Sequence, residues 1–265
     1  MRETMFKKLI IIILSLFFIA CSKKEDQNTI KVGTISGPET ALMQVAAKQA
    51  LQAYGLHVKI ISFSDYTTPN IALNDGDIDA NAFQHFPYLE AQIKERGYKI
   101  AVAAKTFLYP MAGYSRTITD IANLPMNAKV AIPNDPSNEG RALLLLQRFA
   151  LIKLKPNVGF TATPSDIIDN PKHLKFIELD AAQLPRSMRD VSLAIINTNY
   201  AIPSGLSPAK DSIISENAQS PYTNIIVVRE GEQSLKKVRE LIKAYQSKPV
   251  LEKAKQLFGV DAIPG

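Results

Sequence analysis

Ile30 to Phe63 reads IKVGTISGPETALMQVAAKQALQAYGLHVKIISF, and the arrangement of the whole chain follows from how it is parsed. Ile30–Ile35 alternates as a strand does. Gly37-Pro38-Glu39-Thr40 turns the chain into a helix over roughly 41–54, which Gly55 closes as a C-cap. Val58–Phe63 is the next strand. The rhythm continues, with Pro69 near a helix start and Gly76 at its end. A short strand at 79–82 follows, then a helix over 87–96 stopped by Gly97, and a strand at 100–104. Strands separated by helices pair in parallel and form an open α/β sheet.

The pattern then restarts. Strands are expected at 129–132, 175–179 and 193–196, with helices at 138–150 and 184–190 and two C-terminal helices at 235–246 and 250–258. This describes two α/β units of about 100 residues each. The connecting segments read as Tyr109–Gly113 and the extended Tyr222–Arg229. Two connections mean that the chain crosses over and returns, and ligands bind in the crevice between such lobes.

Composition excludes several classes. Of 265 residues, 46% are hydrophobic and 21% charged, as in an ordinary globular protein. Lys and Arg number 31 against 25 Asp and Glu. Arg2, Lys7, Lys8 and Glu3 precede Cys21, which leaves 28 against 24. The basic residues are interspersed with acids, unlike the concentrated stripe of a nucleic-acid binder.

Residues 5–21, MFKKLIIIILSLFFIAC, combine a basic start with a twelve-residue apolar stretch, Leu9–Ala20. That is too short to span a bilayer, which needs about 20 residues, and it suits a secretory leader. Cys21 is the only cysteine. Phe18-Ile19-Ala20-Cys21 resembles a bacterial lipobox, with Phe18 where Leu is more usual. The resemblance implies cleavage before Cys21 and a lipid thioether there, with acyl chains such as palmitate anchoring the protein stably. Residues 1–20 are then a leader and 21–28 a polar tether.

Signals for catalysis are poor. There is no G-x-S-x-G, P-loop or G-x-G-x-x-G, and His57, His85 and His173 lie far apart. A zinc site of the usual Cys/His type is not expected. NDGDIDAN lacks the Gly and acid that a calcium loop needs and reads as a solvated turn. Four polar clusters stand out instead. Asn81–Tyr88 places aromatic and amide groups at a loop-to-helix junction, which fits a ligand wall or core packing with a helix cap. Pro133–Arg141 opens an apolar, buried helix (Leu143–Leu146) with a basic residue in its first turns. That charge opposes the helix dipole unless an anion sits there, and either a ligand carboxylate or a protein carboxylate would serve. Asn197-Thr-Asn199-Tyr200 and Ser220–Asn224 lie at strand ends, where asparagines both donate and accept, or simply turn the chain.

These clusters, in this order after a lipobox, resemble the methionine-binding lipoprotein family (MetQ/NlpA type), substrate-binding proteins of ABC importers. The carrying segments are SDYTTPNIALNDGDIDANAFQHFPYL, VAIPNDPSNEGRALLLLQ, LAIINTNYA and SPYTNIIVVRE. The resemblance covers essentially the whole mature chain. It implies a two-lobe, type II periplasmic-binding-protein fold with the ligand cleft between lobes, 29–112 with 228–265 forming one lobe and 113–227 the other. Arg141 is then expected to grip the ligand α-carboxylate, and Asn197 and Asn224 its carboxylate and ammonium ends. Tyr66, Phe83, His85 and Tyr88 would wall the thioether pocket, and Asn138 would shape the anion end. Glu139, where relatives commonly have Leu, is expected to point outward.

The implied function is capture of methionine, L- and also D-, by a monomeric receptor lipid-anchored in the cell envelope, without cofactor or metal. Its partners would be an importer's permease and ATPase. A methionine-containing dipeptide or another small apolar amino acid is the alternative ligand. A hydrolase built on His85 is the remote alternative.

Overall fold

The computed structural model describes residues 28–217, 219–258 and the strand 263–264. The leader, Cys21 and most of the tether lie outside the described residues. Among the described residues no helix is long and apolar enough to cross a membrane.

Two mixed sheets form the molecule. The first contains β1 (Thr29–Ile35), β2 (His57–Phe63), β3 (Ala80–His85), β4 (Ile100–Leu108), β12 (Thr223–Arg229) and β13 (Ile263–Pro264). The second contains β5 (Ala112–Tyr114), β6 (Lys129–Pro133), β9 (Lys175–Leu179), β10 (Leu193–Ile196) and β11 (Ile214–Ser215). β7 (Lys153–Leu154) and β8 (Ile167–Asp169) make a separate ribbon. The helices are α1 (Pro38–Tyr54), α2 (Thr68–Asn74), α3 (Phe86–Arg96), α4 (Pro136–Arg148), α5 (Leu184–Ser187), α6 (Thr198–Ala201), α7 (Pro208–Asp211), α8 (Lys236–Tyr245) and α9 (Lys248–Phe258).

β1 pairs in parallel with β2 and β3, as the strand–helix–strand rhythm requires. Gly55 and Gly97 take left-handed conformations as C-caps of α1 and α3. The core of the first lobe packs Leu42, Met43, Ala46 and Ala50 of α1 under Ile30, Val32 and Ile226, with Val238 and Leu241 of α8 beside them. The second core gathers Val130, Ile132, Leu143, Leu146 and Ile195.

The expected domain boundaries need correction. Tyr222–Arg229 is not a linker: Thr223–Arg229 runs antiparallel between β3 and β4, at the centre of the first sheet. An apolar run such as Ile225–Val228 is extended because it is buried on both faces, which sequence alone does not separate from an extended connection. The chain therefore returns between β11 and β12, and 223–227 sits with the first sheet. At the outward crossing, Ala112 pairs with Ile196 and Ser215 in the second sheet. The 79–82 strand also runs on to His85, so NAFQH is strand that enters α3 without a loop.

A buried amide trio holds β3 in place. Gln84 Nε2 donates to Asn70 Oδ1 (2.7 Å) and Asn81 Oδ1 (2.9 Å), while Asn70 Nδ2 returns a bond to Gln84 Oε1 (2.9 Å). Asn70→Leu strands two buried amides and should cost about 2–3 kcal/mol, read as a lower denaturant midpoint at unchanged slope. Asp79 departs from the solvated-turn expectation. Its Oδ2 accepts from Lys31 N (2.7 Å) and its Oδ1 pairs with Lys237 (3.1 Å), tying β1 to α8.

Candidate functional site

β3, β6 and β10 end at one crevice between the sheets, where ligands bind in open α/β folds. β12 runs the other way, so its amino end meets the same place, with Asn224 opposite His85. All eight side chains picked from the sequence line this cleft. Tyr66, Phe83, His85, Tyr88 and Asn224 come from the first lobe, and Asn138, Arg141 and Asn197 from the second. Gln84, Tyr109, Thr198 and Asn199 complete the wall.

A chain of amide bonds spans the lobes and settles which atoms face inward. Tyr88 N donates to His85 Nδ1 (3.2 Å), so Nε2 carries the proton and donates to Asn138 Oδ1 (3.1 Å). Asn138 Oδ1 also accepts from Asn197 Nδ2 (2.9 Å). Asn138 Nδ2 donates to both oxygens of Asp135, the N-cap of α4 (3.0 and 2.9 Å). Asn197 is thereby oriented with its Oδ1 buried and unpartnered. Asn224 Nδ2 donates to Glu39 Oε1 (2.7 Å) and Phe83 O (3.1 Å), which leaves its Oδ1 as the uncommitted end. Asn199 Oδ1 is likewise buried without a partner. One side of the cleft therefore offers acceptors in need of a donor.

The other side offers a donor. Arg141 Nε and Nη2 form a two-point pair with Glu216 (2.8 and 2.5 Å), and Nη2 also donates to Tyr109 O (2.9 Å). The guanidinium carbon lies 4.4 Å from the centre of the Tyr222 ring. Burial disfavours the charge, but Glu216 more than offsets this and holds Arg141 ionised. The anion that the α4 terminus demands is thus, in part, a protein carboxylate. Nη1 makes no hydrogen bond among the described residues.

Between these poles stand the rings. Tyr66 lies 5.8 Å from Phe83, 6.0 Å from Tyr88 and 4.9 Å from Tyr200, centre to centre. Tyr88 OH donates to Tyr66 O (2.8 Å), which fixes the corner. Edges and faces so arranged suit a thioether.

His85 cannot serve as a base here, because both ring nitrogens are engaged. Burial, with the Arg141 charge adding to it, pulls its pKa down to about 3. The folded state favours neutral His85, so this contribution to stability is complete above the unfolded value near 6.5 and is lost as pH falls towards 3. The His85 ring resonances should therefore stay constant from pH 8 to pH 5 in an NMR titration; a midpoint near 6.5 would contradict the geometry.

Sequence reasoning missed Glu216 and Glu39. A loop acid and a first-turn helix acid are both commonplace, and nothing in their neighbours marks them. Glu139 lies away from the cleft lining, as expected, but it is packed within the protein, only 7% exposed. Burial, with Glu178 and Asp135 nearby, pushes its pKa up to about 7, but it does not line the cleft.

The family model described as NlpA lipoprotein matches residues 30–265. The chain belongs to the NlpA lipoprotein family. Among its relatives, the D-methionine-binding lipoprotein MetQ of Escherichia coli strain K12 is 50% identical over 254 residues, 95% of this chain and 94% of that protein. A periplasmic substrate-binding protein of an ABC transporter from Coxiella burnetii shares 57% identity at a TM-score of 0.86, over 89% of this chain and 100% of that one. A nutrient-binding protein from Burkholderia cenocepacia, solved bound to methionine, shares 51% identity at a TM-score of 0.87, over 89% and 99% of the two chains. The two-sheet architecture with its crossed-over central strand is thus that of the NlpA-type periplasmic binding proteins.

Proposed function

We propose that this protein captures methionine, of either hand, in the interlobe cleft and delivers it to an ABC importer from a lipid anchor at Cys21. The observation that carries the reading is the sorting of polarity in the cleft. Arg141 Nη1 is an open donor for a carboxylate, while Asn197 Oδ1 and Asn199 Oδ1 are buried acceptors that call for an ammonium. The aromatic corner of Tyr66, Phe83 and Tyr88 lies beside them for an apolar side chain. In this reading both Asn197 and Asn224, whose amide nitrogens are committed elsewhere, offer their oxygens to the ammonium, and the carboxylate falls to Arg141.

The magnitudes agree. Burying the thioether chain contributes roughly 1.5–3 kcal/mol, and each charge-assisted hydrogen bond ~1.5–3 kcal/mol. Less the cost of association, a few such bonds reach about −8 kcal/mol, or micromolar affinity. The residues act by binding and positioning; none is arranged as an activated nucleophile. Ligand held between the lobes favours the closed arrangement that an importer would recognise.

The test is calorimetric titration of the full-length protein in detergent with L- and D-methionine, after unfolding and refolding to remove carried ligand. Saturable one-to-one binding supports the proposal, and 4-methylthiobutanoate, which lacks the amine, should bind at least about a hundredfold more weakly. Binding of leucine or glycyl-methionine in preference to methionine would overturn the choice of ligand.

A further inference from the structure

Glu39 stands directly behind the ammonium side of the cleft. It lies in the first turn of α1, is 2% exposed, and holds Asn224 Nδ2 with Oε1 (2.7 Å). Its Oε2 is buried with no partner, and Glu39 makes no ion pair among the described residues. The second lobe closes over this corner. Gly37 has φ +121°, and a side-chain carbon there would lie 2.8 Å from Pro203, two residues after Ala201 at the end of α6. The titratable groups facing Glu39 are Tyr66, Tyr109, Tyr200 and Tyr245, from four separate segments, and burial keeps all four neutral. A carboxylate here, with one oxygen unsolvated and no cation beside it, is poorly accommodated. A carboxylic acid costs less there, because protonation removes the buried charge while Oε1 still accepts from Asn224 Nδ2.

We propose that Glu39 is a positioning residue that carries the counter-charge of the ligand's ammonium group. It is neutral in the empty cleft and is ionised when a cationic amine seats against Asn224, Asn197 and Asn199. This rests on the amino-acid reading above and adds to it the charge that makes the site select amines. The step balances: the O–H bond of the Glu39 carboxyl breaks, its proton passes to the buffer, and the ligand keeps its own. The site gains one positive and one negative charge together. Asn224 is held by Glu39 Oε1 in both states, so the acceptor orientation is preserved.

Burial, partly offset by the Asn224 and Asn199 amides, lifts the Glu39 pKa to about 8. At pH 7 the empty protein therefore holds this proton, and an adjacent ammonium lowers the pKa. Methionine binding should release between about half a proton and one proton at pH 7, and affinity should rise as pH goes from about 5 to 8. The measurement is calorimetry of the full-length protein in buffers of different ionisation enthalpy. Wild type should show an observed enthalpy that varies with the buffer. Glu39→Gln, which keeps the shape, should show none of that variation and bind at least about tenfold more weakly at pH 8. Infrared difference spectra of the wild type should lose one carboxylic-acid C=O band on ligand addition, which decides the matter even where Glu39→Gln folds poorly. Saturable methionine binding with a buffer-independent enthalpy and an unchanged C=O band overturns this inference and leaves the proposed function standing. A folded chain that takes up neither form of methionine overturns both.

Discussion

Arg141→Ala should abolish methionine binding, with a loss of at least about a hundredfold, because among the described residues it removes the only side chain lining the cleft that carries a fixed positive charge. The same substitution leaves Glu216 as an unpaired acid with an 8% exposed side chain. Removing one member of a buried pair costs about 3–5 kcal/mol, so Arg141→Ala will also melt early, and lost binding alone would not establish a direct role. The double variant Arg141→Met, Glu216→Leu separates the two. Replacing both members of a buried pair by apolar groups is often nearly neutral. That variant should regain most of the melting temperature and still bind no methionine. Binding within about threefold of wild type in it would show that Arg141 serves the fold and not the ligand.

Gly140→Ala should be the most damaging single-carbon change near the site. A Cβ at 140 would collide with Phe160 O and lie 2.8 Å from Phe160 C and 2.9 Å from Ala162 N. These are backbone atoms of the neighbouring 3₁₀ turn (Gly159–Thr161), not the ends of flexible side chains, so α4 or the turn must move. Overpacking of this kind costs about 3 kcal/mol or more. Because Arg141 is the next residue, the displacement also shifts Nη1 relative to the carboxylate it would hold. The expected result is a lower denaturant midpoint together with weakened methionine binding. Unchanged stability would mean that the turn yields freely. Gly140→Ser should behave no better.

The sequence carried the first lobe's parallel half clearly, because Gly55 and Gly97 punctuate α1 and α3 and the strands between them alternate. It misassigned Thr223–Arg229 because strand pairing is a long-range property: nothing within that segment records that its neighbours are residues 80–85 and 100–108. The site residues were legible for a related reason. They cluster at the ends of elements, where short polar runs interrupt apolar ones, so Asn81–Tyr88 and Asn134–Arg141 stand out. What each polar atom does was not legible. The direction in which Asn197 points depends on Asn138, whose own direction depends on Asp135 and His85, from two lobes. Of the alternatives left open at Arg141, the structure shows the protein carboxylate, since Glu216 pairs with two of its nitrogens, and the ligand carboxylate stays a proposal.

The placement of β12 orders events in time. Every strand of the second sheet lies between residues 112 and 215, so that sheet can form from one continuous stretch of chain. The first sheet cannot, because β3 and β4 meet only through a strand that arrives more than a hundred residues later. A chain emerging amino end first therefore completes its second lobe while the first is still an open edge waiting for 223–229. Contacts of such sequence separation are slow to form. That delay keeps the leading half of the chain unlocked, and so able to thread, until almost all of it has been made.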